Sequence, residues 1–156
     1  MLQTLVNVDF RSKKPRMSPM HEILYSQKLP QPRFHYTPVI KAGAMVRFSG
    51  MIALDPATGA LEPGDAGAQL ARILANLKAA LPDLDLRLEQ LIVARIYTTR
   101  FDQFAAINAA WDEALRELST PPTRTSVGVV ALPLGATVEV EFEFYKQDAT
   151  ADQAKS

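Results

Sequence analysis

Residues 121–145, PPTRTSVGVVALPLGATVEVEFEFY, hold one arginine and three glutamates in a pattern suited to chemistry. Arg124 stands at the start of one apolar-alternating segment. Glu139, Glu141 and Glu143 alternate through a second, beyond a Leu-Pro-Leu-Gly corner. Alternation at period two puts the three acids on one strand face and Val138, Val140, Phe142 and Phe144 on the other. The hydrophobic row must pack on a core. The acidic row must meet water, a basic partner or a bound ligand, because burying an unpaired carboxylate costs too much. A fixed guanidinium beside such a row can bind a small polar molecule and act on it.

Other chemistries have less to work with. The chain has no cysteine, which excludes disulfides, thiolate zinc sites and a cysteine nucleophile. His21 and His35 are the two imidazoles, so a histidine-rich metal site or a serine triad has little choice of geometry, and no metal is expected. Seventeen basic residues balance seventeen acidic ones, giving no general attraction to nucleic acid or to an anionic membrane. No apolar run is long enough to span a bilayer. The start, MLQTLVNVDFRSKKPR, lacks the apolar core and cleavage site of a secretory signal, so a cytoplasmic protein is expected.

At 156 residues, with 47% hydrophobic and 22% charged, the chain has the size and composition of one globular domain. Residues 1–29 read as an amino-terminal extension, partly flexible, with a basic cluster RSKKPR at 11–16 and alternative translation starts at Met17 and Met20. The working domain spans 30–146, and 147–156 form a polar tail read as disordered. Residues 34–52 read as strands, with a hinge at Lys41-Ala42-Gly43. Ser49-Gly50 marks a bulge or a close backbone approach. Asp55-Pro56-Ala57-Thr58-Gly59 is a turn. Asp65 caps a helix with Ala66, Leu70, Ile73, Leu74, Leu77 and Leu81 on one face, ended by Pro82. Residues 91–97 form a buried strand. A second helix, capped by Asp102 and closed by Pro121-Pro122, carries Phe104, Ile107, Trp111, Leu115 and Leu118. The order strands, helix, strand, helix, two strands fits a two-layer α/β sandwich, with a mixed sheet and both helices on one face. On this reading the opposite sheet face carries both Arg124 and Glu139.

Three motifs, Arg124-Thr-Ser-Val-Gly-Val, Ala131-Leu-Pro-Leu-Gly-Ala and Val138-Glu-Val-Glu, resemble the signature of the RidA/YjgF family of reactive-intermediate deaminases. Phe48-Ser-Gly-Met-Ile-Ala-Leu-Asp-Pro-Ala-Thr-Gly, Asn76-Leu-Lys and Phe104-Ala-Ala-Ile-Asn continue the resemblance in register, over about residues 30–146. It implies a chorismate-mutase-like fold assembled as a homotrimer, with active sites between subunits and no cofactor. It also implies hydrolysis of imines and enamines such as 2-aminoacrylate to 2-oxo acids and ammonia. Carried onto this chain, the resemblance makes Arg124 the clamp on the substrate carboxylate and Glu139 the group that orients water. Tyr36, Gly50, Ser126 and Asn108 become substrate-binding positions.

The largest departure from the family is at Phe34-His35-Tyr36-Thr37-Pro38, where the family's Gly-Pro-Tyr-Ser-Gln keeps only its tyrosine here. Met51 likewise replaces a glutamine common after Ser-Gly. Two other readings follow. A non-catalytic trimeric small-molecule-binding or chaperone-like protein would use the same cleft without turnover. RNA cleavage, attributed to some family members, has the RSKKPR cluster as its sole support.

Overall fold

The computed structural model of the chain describes residues 20–146; the RSKKPR cluster, Met17 and the polar tail lie outside them. The strands are β1 (Glu22–Ile23), β2 (Val39–Ala42), β3 (Met45–Phe48), β4 (Met51–Ile52), β5 (Leu91–Thr98), β6 (Thr123–Gly128) and β7 (Val138–Tyr145). Two helices, α1 (Ala66–Ala80) and α2 (Phe104–Leu115), cross between them. The sheet runs β1-β2-β3-β7-β5-β6. β4 continues along the β3 side of β7. Pairing is antiparallel except between β5 and β6, which run parallel around α2. The sheet is therefore mixed, as the element order led us to expect.

Local chemistry accounts for the main boundaries. Asp65 accepts a hydrogen bond from the Ala68 amide at 2.8 Å, capping α1 as anticipated. Gln103 adds a second cap, accepting from the Ala66 amide at 2.8 Å. The β2–β3 hairpin turns on Gly43-Ala44, with Lys41 and Ala42 of the expected hinge still paired in the strand and Gly43 in the left-handed region at φ 58°. Asp55 accepts from the amides of Ala57 and Thr58, which fixes the following turn and holds its carboxyl below the usual range.

The core lies between the sheet and the two helices. Leu70, Ile73, Leu74 and Leu77 of α1 are fully buried, each stabilising the fold by about 1.5–3 kcal/mol. They meet Val138, Val140, Phe142 and Phe144 of β7, the hydrophobic row opposite the glutamates. Phe48 packs edge-on against Phe142 at 6.4 Å between ring centroids and lies 5.5 Å from Phe144.

Three expectations need correction. Asp102 does not cap α2: it forms an ion pair with Arg100 at 2.7 Å, and a single 3-10 turn at Phe101–Gln103 leads into the helix. The helix ends at Leu115, well before Pro121-Pro122. Residues 33–38 are irregular backbone; the strand begins only at Val39.

Candidate functional site

Glu139 is fixed by its neighbours along β7. Thr137, two residues earlier, donates its amide to Gln69 of α1 at 2.8 Å, while its carbonyl accepts from Thr98 Oγ1 at 2.8 Å. Across the sheet Glu139 is flanked by Ile52 of β4 and Tyr97 of β5. All three acids share one sheet face, as their spacing required, but their surroundings differ. Glu143 pairs with Arg95 at 2.6 Å and Arg47 at 3.6 Å. Glu141 accepts from the Tyr97 hydroxyl at 3.2 Å and lies 3.8 Å from Arg95. The Glu139 carboxylate has no hydrogen bond or ion pair among the described residues. Burial, and then the nearby Glu141 charge, push its carboxyl above the ordinary glutamate value.

A bulge opens the space for that carboxylate. Between the pairs Arg47↔Glu143 and Met51↔Val140 the register shifts by one residue, so Ser49-Gly50 carries one residue more than β7 does. The shift reverses the side-chain alternation. Val46 and Phe48 face the core before it, and Met51 and Ala53 after it, which turns Gly50 and Ile52 toward the Glu139 face. A Cβ on Gly50 would overlap Glu139 Oε1 and stand 2.8 Å from its carboxyl carbon. Ser49 also ties down the irregular segment: its hydroxyl donates to the Thr37 carbonyl at 2.7 Å and its amide to that of Pro38 at 2.8 Å. Tyr36 and Phe34 thereby become one wall of a cleft of about 280 Å³, with Glu139, Gly50, Ile52, Pro133 and Leu134 around it.

Arg124 lies elsewhere. Its β5 partner across the parallel pair is Ala94, a fully buried residue of the helix-facing side. The expectation that Arg124 and Glu139 share a sheet face is overturned: Arg124 projects toward α2, Glu139 away from the helices. Arg124 Nη2 donates to Asn108 Oδ1 at 2.8 Å. Its guanidinium lies 5.7 Å from the Phe104 ring centroid and 5.4 Å from that of Trp111. It pairs with no acid among the described residues. Ser126 sits on the same side of β6; its Oγ is buried and has no hydrogen-bond partner. The six candidate positions thus fall into two sets: Tyr36, Gly50 and Glu139 in the cleft, and Arg124, Asn108 and Ser126 at the β6–α2 edge.

Arg33, Ile52 and Leu134 of the cleft were not singled out by sequence. Nor was the second role of Phe104 and Trp111, whose helical spacing marks them only as core. Leu134 could have been flagged by its place between Pro133 and Gly135, since that corner is where left-handed backbone is needed. Arg33 carries no such signal. Among the described residues no group of three or more potential ligands is arranged to hold a metal ion, and no helix is long and apolar enough to cross a membrane.

Comparison with known proteins agrees with these motifs. The family model described as Endoribonuclease L-PSP matches residues 26–144. A RutC family protein of Pyrococcus horikoshii is 32% identical over 128 residues, covering 82% of this chain and 100% of the relative. Protein DfrA of Myxococcus xanthus is 34% identical over 120 residues, covering 76% of this chain and 90% of its own length. Among solved structures, E. coli TdcF with bound serine is similar at a TM-score of 0.75 and 30% identity, over 81% of this chain and 99% of that one. RidA from an Antarctic Psychrobacter gives 0.74 and 29%, over 80% and 98%. The chain belongs to the RidA/YjgF family, the family described as Endoribonuclease L-PSP.

Proposed function

We propose that this protein hydrolyses 2-imino acids, and the enamines in equilibrium with them, to 2-oxo acids and ammonia. The observation that carries the reading is a pair of charges left without ionic partners among the described residues. Glu141 and Glu143 pair with arginines, whereas Glu139 faces an open cleft and Arg124 meets no acid among the described residues. A guanidinium held by an amide and two rings is ready to take a carboxylate through two parallel hydrogen bonds. A carboxylate whose pKa burial and the Glu141 charge raise is a stronger base than a free one, and it can accept a proton from water as the water adds to the imine carbon. That proton passes to nitrogen, giving a carbinolamine; the hydroxyl proton then follows it to nitrogen as the C=O forms and the C–N bond breaks, so ammonia leaves the 2-oxo acid. That TdcF holds serine, a small molecule with a carboxylate, supports this ligand class.

Arg124 and Glu139 of one chain lie on opposite sheet faces and cannot both reach one small acid. The site therefore takes Arg124, Asn108 and Ser126 from one copy and Tyr36, Gly50 and Glu139 from its neighbour in a homotrimer. The exposed edge strand β6 supports this, since its unpaired backbone groups are open to another chain. The family description also names RNA cleavage, but the contacts of Arg124 are Asn108, Phe104 and Trp111, with no histidine to act as acid or base.

The test generates imino acids with an amino-acid oxidase and traps unhydrolysed imine with semicarbazide. Adding this protein should lower trapping, and Arg124→Ala should not. Undiminished trapping, together with saturable binding of 2-oxo acids, would mean that the cleft binds without turnover.

A further inference from the structure

The cleft beside Glu139 is more apolar than recognition of a two- or three-carbon acid requires. Leu134 has φ 57° and ψ 19°, in the left-handed region that a bulky side chain rarely adopts. It is also 54% exposed, so burial does not compensate for that backbone. Glycine would take the conformation freely, and Gly135 beside it already does, at φ 74°. A leucine kept in an unfavourable conformation, half in water, contributes little to folding. What it does is line the cleft. Phe34 does the same from the facing segment. It is 75% exposed, and its backbone neighbourhood is tied to β3–β4 through Ser49. Ile52, the β-partner of Glu139, lines the cleft between them.

We infer that Phe34, Leu134 and Ile52 form a side-chain subsite for a large apolar group. The protein would then favour 2-imino acids with branched or aromatic side chains over 2-iminopropanoate. This rests on the imine-hydrolase reading, with the carboxylate on Arg124 and the imine carbon at Glu139; the substituent on that carbon then points into the apolar cleft. Arg33 lines the same space, but its guanidinium is committed to the Gly59 carbonyl at 3.1 Å.

Two measurements test the subsite. In the first, kcat/KM is compared for the imines of leucine, phenylalanine, alanine and aspartate, each generated in situ. The leucine and phenylalanine imines should exceed the alanine imine by about tenfold or more. The large-to-small ratio should fall by about tenfold in Leu134→Gly and in Phe34→Ala. Leu134→Gly relieves the left-handed leucine, so its Tm should not drop and misfolding cannot explain the change. In the second, direct calorimetry compares 4-methyl-2-oxopentanoate with pyruvate, and the larger acid should bind about tenfold more tightly. A preference for the alanine imine, or a ratio unmoved by both variants, overturns the subsite. So does a preference for the dicarboxylic imine, which would point to Arg33. If no imine is hydrolysed but the larger 2-oxo acid still binds more tightly, the subsite stands and the hydrolase reading falls. Equal binding of the two acids overturns the subsite whatever the turnover.

Discussion

Gly50 stands so close to Glu139 that any side chain at position 50 would take the space of the glutamate's carboxylate. The bulge at Ser49-Gly50 and the free carboxylate on β7 are thus one arrangement, and the absence of a Cβ is part of it. The obstructing atoms are the far end of a flexible side chain, not backbone. Gly50→Ala should therefore displace the Glu139 carboxylate without breaking the sheet. We expect a Tm close to wild type and a loss of about tenfold or more in kcat/KM, since small misplacements of a catalytic group are costly. Parallel melting curves and imine-hydrolysis rates check it; a variant as active as wild type would remove Glu139's position from the argument.

Glu139 itself should trade stability for function. Its folded pKa is raised, so between the ordinary glutamate value and that raised value the native state keeps a proton that the unfolded chain releases. Stability contributed by this group falls as pH rises through that window and stays reduced above it. An amide does not titrate. Glu139→Gln should therefore be at least as stable as wild type at pH 7, with the difference closing as pH drops below the ordinary glutamate range. Activity should move the other way, by about 10²–10⁴-fold, and the acid limb of the wild-type pH–kcat/KM profile should vanish in the variant. Denaturant melts at a series of pH values, read beside the rate profile, separate the two effects.

Arg124 is held by one hydrogen bond and two aromatic faces, so its variants should grade. Arg124→Ala should weaken binding of a 2-oxo acid by about 2–5 kcal/mol, as expected when one partner of a charged hydrogen-bonded pair is truncated. Arg124→Lys should recover only part of that, because an ammonium cannot reproduce the planar fork. Asn108→Ala leaves the guanidinium charged but untethered from the Asn108 oxygen. It should raise KM by about tenfold with a smaller change in kcat, the signature of lost ground-state positioning. Inhibition constants for pyruvate across the three variants give the order directly.

These residues also show where a sequence can and cannot be read. The α1 cap at Asp65 and the two faces of β7 were legible because each depends on neighbours within a few positions. The face of β6 was not. The alternation read there rests within the strand on Val127 alone, too little to fix a face, and the pairing of Arg124 with Ala94 across a parallel crossover sets which way the arginine points. Asp102 looked like a cap because helix starts favour aspartate, yet Arg100 lies two residues away and takes the carboxylate first. The wall at residues 33–38 has no periodicity to read; its position comes from bonds to Ser49, eleven or more residues along the chain. Leu134 defied expectation most directly, since left-handed backbone predicts glycine or asparagine and not a branched apolar residue.

The opposite-face placement of Arg124 and Glu139 leads to a test that does not depend on any one variant's rate. Arg124→Ala and Glu139→Gln chains are each expected to be inactive alone. Co-expressed with different tags and purified as mixed assemblies, they should regain activity, because some interfaces then join an intact Arg124 from one copy to an intact Glu139 from the next. For random equal mixing in a ring with head-to-tail interfaces, each intact group is present half the time, so about a quarter of sites should be restored. Mixing the two proteins after purification should restore activity only as fast as subunits exchange. If the co-expressed assemblies stay as inactive as the parents while containing both chains, the two residues do not serve one site, and Arg124 must act on something other than the molecule in the Glu139 cleft.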